Sequence, residues 1–407
     1  MSAKSSELTK EDLQELLRPK LKAEGAEVED ISIRRLTKPG DNYGSTMLAV
    51  DVNLRPGPRT LHLVAKMIPK SSMLKEFFHC NVTVKKETYM YLLVCPEYER
   101  IQKENNVPDD KFLGVFPECY GARISSKGDS EIVDDGAVIL QGNLKVQGYE
   151  CGDRIIGLDL PHCELVVDKL ARFHATGVAM KIKKPDKFKE IVLKSATPVA
   201  VGPGLTFVNA LEAIPEYATM KERITTALVK SKEVFDSSNP KPPREPFATL
   251  THLDLWVNNI MFQYESGSSK ENPKKLKLVD FQLIRYDSPA KDLLFFLYSS
   301  AKLEVLSEHY DYLVRLYYDS FLDCLRILGC DTKPFIFEDF LDEMENASVS
   351  EFWHIAFMVV GISVPSEESH STDDITHGDF QQVLKVGKTF YSRASKFVLD
   401  FASRNWI

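Results

Sequence analysis

The sequence has no apolar run long enough to cross a bilayer. Its most apolar stretches, at 293–298 and 356–364, are under ten residues, whereas a helical span needs about 20. Basic clusters are missing too: Lys and Arg are scattered and the formal net charge is -8. A nucleic-acid partner needs a basic patch, so none is expected, and neither is a membrane. Cysteine is sparse, at seven residues with no C-x-x-C pair, which excludes a disulfide scaffold. The segment Met1–Glu7 carries no apolar stretch of signal-peptide type. Free thiols in a reducing, cytoplasmic compartment are the expectation. What is present, 43% hydrophobic and 27% charged residues over 407 positions, suits a globular chain of two packed lobes.

Thr9 ahead of Glu11 and Asp12 reads as a helix start, with a capping hydroxyl and an acidic first turn. That helix is expected to reach about residue 22 and to bend or break at Pro19. Residues 31–36, 46–54 and 61–68 alternate as strands do, with a polar turn at 38–45, and predict an antiparallel meander. A helical pattern at 77–98 and β-rich stretches at 119–124 and 137–140 follow. After Gly148 the character changes. Leu165, Val166, Leu170 and Phe173 make one apolar face of a helix at 158–177, and 205–235 also reads as helix. A Pro-rich loop at 237–246 precedes two short strands, 259–264 and 276–281, around a Ser- and Gly-rich loop at 266–273. Beyond Asp292 nearly everything reads as helix apart from a polar loop at 366–377. The expected class is α+β, with a β-rich N-terminal lobe (1–142) and a mostly helical C-terminal lobe (143–407).

The sharpest pattern is His252-Leu253-Asp254-Leu255-Trp256-Val257-Asn258-Asn259, followed 21 residues after Asn259 by Asp280 in Leu278-Val279-Asp280-Phe281-Gln282. Moving a phosphoryl group needs one carboxylate facing the acceptor hydroxyl and further oxygen ligands for Mg²⁺ on the nucleotide phosphates. Asp254 and Asn259 share one tight loop, and the strand-loop-strand that follows can return Asp280 beside them. Either piece alone is an ordinary turn or strand end. Joined at this spacing they point to phosphotransfer. His174 lies on an apolar helix face and reads as a packed core histidine. His370 and His377 lie in a polar loop and are two lone histidines without the Cys or carboxylate geometry of a metal site.

These motifs resemble the protein-kinase-like superfamily, in its branch of choline kinases and aminoglycoside phosphotransferases. Within it the chain is similar to the insect ecdysteroid-kinase-like family. The resemblance rests on His252 to Phe262 (H-L-D-L-W-V-N-N-I-M-F), Gly40-Asp41-Asn42-Tyr43, Pro117-Glu118-Cys119-Tyr120, Phe173-His174-Ala175 and Ser288-Pro289-Ala290-Lys291-Asp292-Leu293. It implies a bilobal kinase-like fold, ATP and Mg²⁺ as cofactors, and a small-molecule alcohol as substrate. Asp254 would face the acceptor hydroxyl, and Asn259 and Asp280 would hold Mg²⁺. Lys66, in Val-Ala-Lys, would bind the phosphates, paired with Glu87 on the following helix, where Glu76 is a rival. Backbone groups near Asn42, Tyr43, Gly44 and Ser45 would contact phosphate, and the hinge at Gln141 to Leu144, including Asn143, would meet adenine. His252 and Asp292 would support the catalytic loop.

Two positions depart from the family pattern. Leu253 stands where a glycine is usual, and the hinge reads Gln141-Gly142-Asn143-Leu144 in place of Glu-Asp-Leu. They leave a second reading, a catalytically weak nucleotide- or ligand-binding protein of the same fold. Protein kinase activity is disfavoured, because only a dozen residues separate Asp280 from Asp292 and leave no room for a peptide-positioning segment. The aromatics at 295, 296, 298, 310, 312, 317, 318 and 321 could line an apolar pocket or simply fill the helical core. Neither acceptor identity nor oligomeric state is written in the sequence.

Overall fold

Thr9 caps the first helix as its sequence predicts. Its hydroxyl accepts the Asp12 N–H while the Asp12 carboxylate takes the Thr9 N–H, starting α1 (Lys10–Glu24). A computed structural model describes residues 8–36, 45–128, 130–199, 210–235, 241–265, 270–363 and 388–407. Of the two outcomes expected at Pro19, a bend or a break, the break does not occur: α1 runs through it. Leu13, Leu17 and Leu21 are buried against the neighbouring sheet, and that packing outweighs the lost backbone hydrogen bond.

The expected meander forms from β1 (Glu27–Arg35), β2 (Thr46–Arg55) and β3 (Arg59–Met67), all antiparallel. With β4 (Cys119–Arg123) and β5 (Val138–Gly142) it makes a five-stranded sheet of order β1-β2-β3-β5-β4. Leu63, Ala65 and Met67 of β3 join the α1 leucines in one core. Strand alternation therefore turns Lys66 to the other face of the sheet. Between β3 and β4 run α2 (Ser72–Phe77), α3 (Cys80–Tyr89) and α4 (Cys95–Glu104), the last two joined by a π-helical turn at Met90–Val94.

Past the sheet come β6 (Tyr149–Cys151), α5 (Leu160–Lys183), α6 (Pro185–Ser195), α7 (Tyr217–Phe235), β7 (Thr249–Thr251), β8 (Ile260–Gln263), β9 (Lys275–Leu278) and β10 (Arg285–Asp287). Then follow α8 (Pro289–Ser300), α9 (Leu303–Ile327), α10 (Phe337–Ser363) and α11 (Lys388–Ser403). Strands β6, β8 and β9 form one small sheet, and β7 pairs with β10. A β-rich first part and a helical second part give the α+β, kinase-like architecture. Helix α7 begins later than residue 205, since the described residues before Tyr217 form a short 3₁₀ turn that Pro215 follows. Phe295, Phe296, Tyr298, Tyr310, Tyr317, Tyr318 and Phe321 are buried in the helical core and only Tyr312 is exposed, so most of these aromatics are packing. Among the described residues no helix is long and apolar enough to cross a membrane. The loop histidines His370 and His377 lie outside the described residues.

Candidate active site

Helix α5 brings Gly177 against β7, where an added Cβ would press inside van der Waals contact on Thr249 Oγ1 and Tyr98 Oη. That close approach seats β7, and β7 leads straight into the loop His252–Asn259. Asp292, in the first turn of α8 and fully buried, clamps this loop from beneath. Its Oδ2 accepts the His252 N–H at 2.6 Å and its Oδ1 the Leu253 N–H at 2.7 Å. Burial alone would raise the Asp292 carboxyl, but the hydrogen bond and charge of His174 outweigh it and hold it below the usual carboxylate range. His174 is thus more than packing. Its Nε2 lies 2.9 Å from Asp292 Oδ2, and its Nδ1 2.7 Å from the Tyr317 hydroxyl. A lone histidine on an otherwise apolar helix face was the available signal.

His252 is a neutral imidazole by the logic of its partners. Its Nε2 meets the Val279 carbonyl at 3.0 Å and must donate, while its Nδ1 accepts the Asp254 N–H at 3.2 Å. Burial lowers its basicity and favours the same state. The ring also packs on Phe281, with centroids 4.6 Å apart, and so joins the loop to the residue after Asp280. Leu253 has φ 58° and Asp280 φ 66°. A side chain in the left-handed region costs roughly 1–2 kcal/mol, a strain that a glycine at 253 would avoid. Here the Asp292 clamp holds Leu253 in place.

The structure brings together five of the residues singled out from sequence. Lys66 Nζ lies 2.6 Å from Glu87 Oε2 and 2.7 Å from Asp280 Oδ1; Glu87, rather than Glu76, is the partner. Burial works against the Lys66 charge, but Asp280 and Glu87 overcome it and raise its pKa above the ordinary lysine value. Burial in turn raises Glu87. Asn259 Nδ2 donates to the Asp254 backbone carbonyl at 2.7 Å and to Asp254 Oδ2 at 3.0 Å, leaving its amide oxygen as an acceptor. Asp254 is pushed well above the usual carboxylate range, first by burial and then by the negative charge of Asp280. Two carboxylates crowded beside an amide oxygen make a set of hard oxygen donors short of positive charge. That is the chemistry a divalent cation such as Mg²⁺ relieves.

The remaining positions stand apart from this cluster. Asn42, Tyr43 and Gly44 lie outside the described residues, and Ser45 immediately precedes β2. Gln141 and Asn143 are buried at the end of β5. The Gly142 and Asn143 N–H groups are already bonded to the Glu118 and His62 carbonyls, so those donors are committed within the lobe. The Gln141 side-chain Nε2 is buried without a partner.

A β-rich lobe whose lysine and glutamate meet an aspartate, asparagine and second aspartate from a helical lobe defines a protein-kinase-like phosphotransferase. The sequence matches the ecdysteroid kinase-like family over residues 39–330. The chain belongs to that family and is a small-molecule phosphotransferase. Solved structures similar to it include the GDP and kanamycin complex of APH(2")-IIia, at 14% identity and TM-score 0.43 over 92% of this chain and 94% of that one. An ethanolamine kinase from Plasmodium vivax is similar at 12% identity and TM-score 0.40, over 93% and 85%. A microcompartment-associated aminopropanol kinase is similar at 10% identity and TM-score 0.39, over 93% and 94%. A search of curated proteins gave no match.

Proposed function

We propose that the protein transfers the γ-phosphoryl group of ATP to a hydroxyl of an apolar polycyclic alcohol, an ecdysteroid, steroid-like or xenobiotic compound. The observation that carries this reading is the meeting of Lys66, Glu87, Asp254, Asn259 and Asp280 in one cluster. Residues 1–142 act as the nucleotide lobe and 143–407 as the catalytic and substrate lobe. Lys66 turns from Asp280 toward the phosphates. Glu87 keeps hold of it and fixes its direction. The Asn259 amide oxygen and the Asp280 carboxylate are the groups that would hold Mg²⁺. Bound there, the ion would supply charge neutralisation on the phosphate oxygens.

The Asp254 carboxylate accepts or orients the acceptor hydroxyl proton. Backbone groups near Asn42 to Ser45 would contact the phosphates, and backbone groups from Gln141 to Asn143 would meet adenine. The unpaired thiols suit a cytoplasmic setting. The acceptor class is supported by the family, and the short segment between Asp280 and Asp292 argues against a peptide. A mass-spectrometric product screen with ATP and Mg²⁺ over ecdysteroids, plant glycosides, choline, aminoglycosides and peptides tests it. Phosphorylated polycyclic alcohols are expected. A product confined to peptides or to the cationic amines would overturn the substrate class.

A further inference from the structure

Lys86 immediately precedes Glu87 on α3, so its side chain leaves the helix about 100° around from the Lys66 ion pair. It is only 1% exposed, and its Nζ has no hydrogen-bond partner. The charge acting on it is a second cation, Arg285, at the start of β10 and five residues after Asp280. Arg285 is itself incompletely satisfied. Its Nη2 donates to the Val199 carbonyl at 3.2 Å, and its Nε has no partner. Its Nη1 is 3.8 Å from an Asp287 oxygen that Lys291 already holds at 2.8 Å. Glu87, the carboxylate next in sequence, is spent on Lys66.

Taking one cation out of water without a counter-ion costs several kcal/mol, and two of like sign cost more. The molecule relieves part of this by lowering Lys86 to about 7, chiefly through burial and then through the charge of Arg285. An anion would relieve all of it. The donors left over are an ammonium with three N–H bonds, a guanidinium Nε and a weakly engaged Nη1. They belong to α3 and β10, both of which pack against α6. A planar fork and a point charge together match a tetrahedral oxyanion, which offers an oxygen to each.

We propose that Lys86 and Arg285 form a second oxyanion site, for inorganic phosphate or a chemically equivalent anion, distinct from the place where Lys66 meets the nucleotide. Entry displaces the turn after α6, whose Val199 carbonyl now occupies Arg285. The bound anion ties α3 to the segment that follows Asp280. Of the two partners of Lys66, Glu87 sits on α3 and Asp280 lies five residues before Arg285. The site therefore acts as a brace on the nucleotide-binding ion pair, and it holds whatever the acceptor proves to be.

The test is thermal unfolding of the nucleotide-free protein against rising inorganic phosphate, with chloride at matched ionic strength, for wild type, Lys86→Met and Lys66→Met. Wild type and Lys66→Met are expected to gain on the order of 2 °C or more at saturation. Lys86→Met should lose that gain. An equal gain in Lys86→Met, a gain lost only in Lys66→Met, or no gain in any protein overturns the proposal. Should Lys86→Met fail to fold, equilibrium dialysis of phosphate into wild-type protein saturated with Mg·ATP decides the matter. Retention of one phosphate supports the site, and its complete displacement by nucleotide refutes it.

Discussion

Asp292→Asn is a nearly isosteric change whose cost can be worked out atom by atom. All three partners of the Asp292 carboxylate are donors: the His252 N–H and His174 Nε2 on Oδ2, and the Leu253 N–H on Oδ1. An asparagine must replace one of those oxygens with an NH₂ group. Placing it at Oδ1 sets it against one donor, and at Oδ2 against two, so the first orientation is adopted. The Leu253 N–H then loses a charge-assisted hydrogen bond worth about 1.5–3 kcal/mol, and the buried donors left unpaired cost about 1–3 kcal/mol more. The sum is a loss of roughly 2.5–6 kcal/mol. Leu253, at φ 58°, is released with it, so turnover should fall as well.

The assay is the urea unfolding midpoint with single-turnover rates alongside. There is also a pH signature. Asp292 is held below its unfolded pKa, so its contribution is complete above the unfolded value and is lost only as pH falls through the lower folded one. Wild type should lose this share of stability only below about pH 4, and the variant should have none to lose. A variant as stable as wild type at neutral pH would refute the account of the clamp.

Asp254→Asn is expected to slow turnover by roughly 10²- to 10⁴-fold with nucleotide binding near normal, whereas Asp280→Asn should weaken Mg²⁺-dependent ATP binding; paired nucleotide titrations and single-turnover rates separate the two. Gly177→Ala forces a methyl onto the buried Thr249 and Tyr98 side chains and should cost about 1–3 kcal/mol, seen as a lower urea midpoint. An unchanged midpoint would contradict the close packing of α5 on β7. Mg·ATP should raise the melting temperature by mass action, and ATP without Mg²⁺ should do so less. A melting curve indifferent to millimolar Mg·ATP would count against the metal-binding roles.

Much of the architecture was legible because its signals are local. The Thr9–Asp12 box, the meander and the helix at 158–177 each follow from periodicity or capping, and each forms. The convergence of Asp254, Asn259 and Asp280 was legible because loop spacing and a strand-loop-strand link make it the natural outcome, whereas Lys66 was implied by the family resemblance. The choice of Glu87 over Glu76 needed the structure, since both lie on helical segments and only packing decides which faces β3. Strands β6, β7 and β10 have three residues each, too few for alternation to show. Pro19 does not break its helix because propensity is local while the leucines around it are buried by tertiary packing. His174 was placed correctly in the core, yet its hydrogen bond to Asp292 spans 118 positions, and no local pattern reports such a partner.

The most direct test of the central claim is single-turnover transfer from γ-labelled ATP to a polycyclic alcohol, with and without Mg²⁺, in wild type and Asp254→Asn. The account predicts a phosphorylated alcohol that requires Mg²⁺ and a rate that collapses in the variant. Label transferred equally well by Asp254→Asn, or bound Mg·ATP that never yields a phosphorylated alcohol in wild type, would contradict it.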